Sequence, residues 1–181
     1  MSTKRHTLFI QYRARRAGAQ TSLHRLVSSP DMANLNPAVL LAESGWLEEA
    51  LLDSSIPTRC SKWPSPRSLQ ARLGGLRHFA KTTVQQLAAQ GIHPSVIVAN
   101  DHQECPVSVA IGQRLEVPVV SLLRSAGMTE RDFQKYKCSE TSELFCVGAD
   151  LLSKVQQWCD KSAKLYTEGF TTQELFSQHP N

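Results

Sequence analysis

Ser95-Val-Ile-Val-Ala99, followed at once by Asn100-Asp-His-Gln-Glu104, is the stretch that sets the fold. Val96 to Ala99 is continuously apolar, which suits a strand buried on both faces. The run then breaks off into five consecutive polar residues. Pro106 opens an amphipathic stretch that ends near Leu115. Val117-Pro-Val-Val-Ser-Leu-Leu123 repeats the apolar pattern and ends as sharply, at Arg124-Ser-Ala-Gly127. Strand, helix and strand in about thirty residues is the length of one βαβ unit. Its two strands must run parallel, joined by a right-handed crossover.

The same alternation extends outward in both directions. Upstream, Thr7-Leu-Phe-Ile-Gln-Tyr12 reads as a first strand. The loop Arg13 to Gln20 contains Gly18, and Thr21 or Ser22 is placed to cap a helix carrying Leu23, Leu26 and Val27, stopped by Pro30. Ala38-Val-Leu-Leu-Ala42 is a second strand, and Glu43-Ser-Gly-Trp46 leads into a short helix marked by Leu47, Ala50 and Leu51. Pro57 to Lys62 reads as a weak third strand. Ser65-Pro66 opens the longest helix, with Leu69, Leu73, Leu76, Ala80, Val84 and Leu87 on one face and Gly91 at its end. Gly74-Gly75 inside it predicts a bend or a close packing contact. Downstream, Met128 to Glu143 reads as helix and loop, and Leu144-Phe-Cys-Val147 as a sixth strand. A helix marked by Leu151, Leu152, Val155 and Trp158 follows, then a short last strand at Lys164-Leu-Tyr-Thr167. The expectation is one α/β domain over residues 1–181. It is Rossmann-like and doubly wound, a mostly parallel sheet of six or seven strands with helices on both faces.

Composition narrows the classes. A chain of 181 residues makes a core large enough to need no staple. No apolar run approaches the ~20 residues that cross a bilayer. The opening residues run into a strand without a leader pattern, so the cytoplasm is the expected compartment. Cys60, Cys105, Cys138, Cys146 and Cys159 form no C-x-x-C spacing, so free thiols are expected, with neither disulfides nor a zinc site. The net charge is +4, and Arg13, Arg15 and Arg16 concentrate part of it. Such a patch suits nucleic acid, acidic lipid or a phosphate-bearing ligand. No nucleic-acid signature accompanies it, so nucleic acid is set aside. Peripheral contact with a membrane stays open.

Ligands of open parallel sheets bind beyond the carboxyl ends of the strands. Five segments stand there: Arg13 to Gln20, Glu43-Ser-Gly45, Asn100-Asp-His102, Arg124-Ser125 and Gly148-Ala-Asp150. The Gly18 loop opens a helix, whose backbone N–H groups can face an anion. Asp101 beside His102 makes an acid–base pair, and Arg124 suits a phosphate or a sugar hydroxyl. Cys105 carries no mark of an activated nucleophile, and no serine sits in a G-x-S-x-G elbow.

These segments resemble the N-terminal, acceptor-side domain of GT-B fold glycosyltransferases, in particular glycosyltransferase family 4. Ala17-Gly-Ala-Gln-Thr-Ser-Leu23 is similar to the family's glycine-rich loop and first helix. Ser44-Gly-Trp-Leu-Glu-Glu-Ala-Leu51, running on to Ile56-Pro57, is similar to its second strand–helix connection. Ser95 to Asn100 with Gln113-Arg-Leu-Glu-Val-Pro-Val-Val120 resembles its fourth and fifth strands. Lys164 to Phe170, through Leu175-Phe176, resembles the segment before its interdomain linker. The sequence departs from the pattern at Ala17, where the family has a first loop glycine. It departs again at Gly148-Ala149, where a serine is common, and at Glu168, which stands in place of an asparagine.

The resemblance implies a hexosyltransferase-type enzyme of carbohydrate biosynthesis. It would move a sugar, with retention, from a nucleotide sugar to an acceptor, using no metal and no other cofactor. It places His102 and Asp101 at the reaction centre, with Gly18, Ala19, Gln20, Asn100, Arg124 and Ser125 binding substrate. His102 is expected to point into the cleft near the Gly18 loop, where its loss leaves stability unchanged. The nucleotide sugar would be held by a C-terminal donor domain. This chain ends where that domain would begin, so the isolated chain is expected to lack activity. The alternatives are a non-catalytic binding module of the same fold, or an unrelated flavodoxin-like nucleotide binder.

Overall fold

The computed structural model describes residues 5–64, 68 and 74–166. Strands and helices alternate along it: β1 (Arg5–Gln11), α1 (Gly18–Val27), β2 (Pro37–Leu41), α2 (Trp46–Asp53), β3 (Thr58–Cys60), α3 (Leu76–Ala89) and β4 (His93–Ala99). Then come α4 (Cys105–Leu115), β5 (Val119–Leu123), α5 (Glu130–Lys135), β6 (Glu143–Cys146), α6 (Ala149–Trp158) and β7 (Ala163–Leu165). The strands form one seven-stranded sheet in the order β3-β2-β1-β4-β5-β6-β7, and every pairing is parallel. This is the order of the dinucleotide-binding folds, extended by one strand, and not the flavodoxin order.

Side chains of successive strand residues point to opposite faces, and both faces are covered. On one, Leu8, Ile10, Leu40 and Ile97 pack with Ala80 and Leu87 of α3 and Val107 and Ile111 of α4. That face continues through Ala99, Leu123, Leu144 and Cys146 to Phe133 of α5 and Leu151 and Val155 of α6. On the other face, Phe9, Val39, Leu41 and Val98 meet Leu23 and Val27 of α1 and Leu47 and Leu51 of α2. Strands buried on both sides have no room for polar alternation, which is why their sequences read as solid apolar runs.

Several local expectations shift. α1 starts at Gly18 behind Ala17, which supplies no side-chain cap, so Thr21 and Ser22 fall inside the helix. Pro30 does not simply stop the chain; it opens a 3₁₀ turn, Pro30–Leu35. Asn36 closes that turn with φ 47° and donates through Nδ2 to the Arg5 carbonyl at 2.9 Å. Gly74 takes φ +89° with open space around it, so the glycine pair serves a bend rather than close packing. The expected start of that helix at Ser65-Pro66, with Leu69 and Leu73, lies outside the described residues, as do Glu168 and the segment through Leu175-Phe176.

Close packing does explain Gly112. A Cβ there would stand 2.4 Å from Val119 Cγ2 and 3.1 Å from the Val117 carbonyl, where α4 lies against the start of β5. We expect Gly112→Ala to destabilise the fold by about 1–3 kcal/mol, the usual cost of overpacking. Urea unfolding would show this as an earlier midpoint. An unchanged midpoint would mean that α4 is free to move off the sheet.

Candidate functional site

β1 continues to β2 and β3 on one side, and β4 starts the other half of the sheet next to β1. The connections beyond β1 and β4 therefore part in opposite directions, and a crevice opens beyond their carboxyl ends. Asn100 and Asp101 stand at that point. Asn100 is fully buried. Its Nδ2 donates to Gln11 Oε1 at 2.5 Å and, at the long distance of 3.4 Å, to the Ala19 carbonyl. Its Oδ1 accepts from Arg124 Nε at 3.0 Å. One side chain thus ties β4 to the end of β1, to the first turn of α1 and to the residue after β5.

Asp101 ties the end of β4 to the segment after β5 a second time. Its Oδ1 accepts from the His102 N–H at 2.8 Å and the Arg124 N–H at 3.0 Å. Its Oδ2 accepts from Ser125 Oγ at 2.5 Å. Arg124 is held at three points in all: the backbone by Asp101, Nε by Asn100, and Nη1 by Ser22 Oγ at 3.0 Å. Its guanidinium lies 5.6 Å from the centre of the Tyr166 ring. Nη2 is buried and has no hydrogen-bond partner among the described residues. A guanidinium so fixed, with one donor unused, is ready to receive an acceptor oxygen.

A cleft of about 840 Å³ opens over this joint. Gly18 and Ala19 at the start of α1, Ser22, Asp101, Arg124, Ser125 and Tyr166 all line it. The opening turn of α1 has no side-chain cap and no acidic residue. Its first N–H groups and its positive dipole end are therefore left for solvent or ligand. Arg25 and Arg124 supply positive charge, and Asp31 and Asp101 negative charge, on the same wall. The site suits a ligand with both hydroxyl and anionic groups. Among the described residues no three His, Cys, Asp or Glu side chains converge to hold a metal.

The structure sorts the residues that the sequence singled out. Gly18, Ala19, Asp101, Arg124 and Ser125 line the cleft together. Asn100 and Gln20 are buried. His102 is not among the cleft-lining residues. It is only 7% exposed, with its ring 4.9 Å from that of Tyr136, edge to face. Its Nδ1 lies 3.0 Å from Asp101 Oδ1. A side chain packed this way is not a surface group, so we expect its loss to cost stability, where the sequence predicts no change. The exposed arginines of the first loop are partly engaged: Arg13 lies 3.6 Å from Glu43 and over Tyr12, and Arg16 over Trp46.

Burial by itself would lower the His102 pKa. The hydrogen bond and charge of Asp101, with the charges of Glu104 and Asp132, outweigh it and leave the imidazole above its ordinary value. Asp101 is the converse. Burial raises it, while His102, Ser125 Oγ and the Arg124 N–H bring it below the ordinary carboxylate range. Each partner therefore favours the charged form of the other.

Sequence reading missed Glu104, Gln11 and Ser22. Glu104 is 2% exposed, and its Oε1 accepts from the Tyr12 N–H at 2.7 Å and Gln11 Nε2 at 3.3 Å. Its Oε2 is buried without a partner among the described residues. The available signal was Gln11 itself, a lone amide at the end of an apolar strand.

No family model matches the sequence, and none of the curated proteins matches it. Solved structures do. HepE of Anabaena, in complex with UDP and glucose, superposes with TM-score 0.68 at 16% identity, over 92% of this chain and 45% of that chain. MurG of Acinetobacter baumannii gives 0.62 at 12% identity, over 90% of this chain and 45% of that one. WaaB, a lipopolysaccharide outer core galactosyltransferase in its apo form, gives 0.60 at 9% identity, over 85% and 42%. The likeness is one of fold, the GT-B half-domain that the resemblance implied. The chain spans less than half the length of each of these proteins.

Burial and the nearby Asp101 charge push the Glu104 carboxyl up from 4.5 to about 7. A carboxyl raised on folding favours the folded state while protonated, and that advantage is lost as pH rises from 4.5 toward 7. Glu104→Gln removes the titration. We expect the variant to gain roughly 2 kcal/mol on the parent between about pH 5 and pH 8. Urea unfolding at both pH values measures the difference. An equal stability gap at the two would show that Glu104 is ionised throughout.

Proposed function

We propose that this chain is the acceptor-side half of a retaining glycosyltransferase of the family 4 type, which moves a hexose from a nucleotide sugar to an acceptor. One observation carries the reading. The cleft beyond the switch point joins a free helix N-terminus, a three-point-held arginine and a half-buried carboxylate, on a fold shared with less than half of each transferase-like neighbour. That HepE was solved with UDP and glucose supports a nucleotide sugar as the donor class. The donor is held by a second domain that closes over the cleft. The reaction uses no metal and no other cofactor, and it takes place in the cytoplasm, where five unpaired thiols persist. The basic loop at Arg13, Arg15 and Arg16 suits an acceptor presented at an acidic membrane surface.

Each residue then has a part. Gly18 and Ala19 offer backbone N–H groups to an anionic or hydroxyl oxygen. Arg124 Nη2 and Ser125 bind the oxygens of acceptor or donor. Asp101 faces the cleft and carries the negative charge nearest the reacting atoms, while His102 acts on it from behind by holding it ionised. Asn100 and Gln20 position the loop. Holding two reactants in register accounts for about 7–11 kcal/mol of a barrier, so one half alone forfeits most of the catalysis.

A second reading, a non-catalytic binding module of the same fold, is favoured by the position of His102, which lies beneath Tyr136 instead of in the cleft. One assay separates the two. The chain is incubated with nucleotide sugars and saccharide acceptors, alone and joined to a donor-binding domain. We expect no transfer alone, transfer once joined, and a 10²–10⁴-fold loss on Asp101→Asn. Enzyme-like turnover by the chain alone would overturn the half-enzyme reading. An active fusion indifferent to Asp101→Asn would remove Asp101 from the reaction centre.

A further inference from the structure

A line of hydrogen bonds runs across three strands beneath the cleft. Glu104 Oε1 accepts from Gln11 Nε2 at 3.3 Å. Gln11 Oε1 accepts from Asn100 Nδ2 at 2.5 Å. Asn100 Oδ1 accepts from Arg124 Nε at 3.0 Å. Every donor in this line points the same way, toward Glu104.

That polarity has a cause. An ionised carboxylate can only accept. The end of Gln11 that faces it must be the NH₂ group, which turns the Gln11 oxygen to Asn100. Asn100 must then present its own NH₂ group, and only its oxygen remains for Arg124. Without an acceptor at Glu104, only the Arg124 Nε–H and the long contact to the Ala19 carbonyl oppose both amides turning over together. Asn100 would then set a donor against the Nε–H of Arg124. The Tyr12 N–H, at 2.7 Å, fixes which Glu104 oxygen faces Gln11.

We propose that Glu104 is a positioning residue for Arg124, acting through Gln11 and Asn100 to set the direction of its guanidinium in the cleft. The proposal rests on reading Arg124 as a ligand-facing group. It reaches further, because it makes a carboxylate outside the cleft wall a determinant of binding. It also assigns the two holds on Arg124 different origins. Asp101 fixes the backbone, and the amide line fixes the side chain. The groups facing Glu104 are Asp101 and His102 on the same turn, and Gln11 and the Tyr12 backbone beyond β1. The raised pKa of Glu104, about 7, makes the start of the line responsive near neutrality.

The test needs no ligand. In the ¹⁵N-labelled whole chain, exchange of the Arg124 Nε–H with water is followed by NMR. Gln11→Met keeps the length and removes the amide. We expect exchange about fivefold faster or more, the factor for one net hydrogen bond. Glu104→Leu should do the same. Glu104→Gln should stay within about twofold, because its oxygen can still accept from Tyr12 and Gln11. In a His102→Gln background, the Arg124 Nε shift should also titrate with a midpoint near 7, and this response should vanish when Glu104→Gln is added. That background is needed because the Glu104 charge raises His102, whose own titration would otherwise differ between the two proteins. Unchanged Arg124 Nε–H exchange in Gln11→Met would overturn the proposal. If Gln11→Met does not fold, a titration that survives Glu104→Gln in the His102→Gln background overturns it instead. A failed transfer assay would leave these readouts untouched, so the two ideas fail separately.

Discussion

Asn100, buried, and Asp101, half-buried, follow an apolar strand that is covered on both faces, and the need to satisfy them is the constraint from which the rest of the site follows. Polar groups in such a place must find partners, since each one left unmade costs about 1–3 kcal/mol. The partners available are the ends of β1 and β5 and the first turns of α1. Asn100 takes three of them and Asp101 takes the rest. The satisfaction of two side chains thereby fixes the relative placement of the Gly18 loop, Arg124 and Ser125. A cleft assembled this way is organised before any ligand arrives, which is how electrostatic sites act at low cost.

The sheet topology decides where that cleft can be. Reversal of strand order between β1 and β4 parts the loops that follow them, and ligands of such sheets occupy the gap. α1 then contributes its N-terminus because its first residue, Gly18, follows β1 by only a short loop. Arg124 arrives from β5, the next strand out, and Ser22 reaches it from within α1. Tyr166, just beyond β7, closes the far wall.

The fold was legible because buried parallel strands leave unbroken apolar runs, and the helices between them keep a three-to-four spacing. The cleft was legible for the same reason in reverse. Polar residues that follow such runs, such as Asp101, Arg124 and Ser125, have to lie at the sheet's edge. Direction was not legible. His102 and Asp101 are neighbours in sequence, yet one turns under Tyr136 and the other into the cleft, because the 3₁₀ turn after Asp101 rotates successive side chains apart. Glu104 was missed because an acid five residues past a strand reads as a solvated helix start. It is buried only because the Tyr12 N–H and Gln11 lie across from it. Helix caps failed for a related reason. Ser22 reads as a cap by type, but its hydroxyl is taken by an arginine 102 residues away.

The account stands on the cleft over Gly18 and Arg124 being where ligand sits. Amide-shift mapping of the ¹⁵N-labelled chain during titration with UDP-glucose, and separately with saccharide acceptors, tests that directly. The account predicts that the largest shifts fall on Gly18, Ala19, Ser22, Asp101, Arg124 and Ser125, with β3 and α3 unmoved. Shifts gathered instead around Lys62, Trp63 and Phe79, at the separate aromatic pocket beside α3, would contradict it.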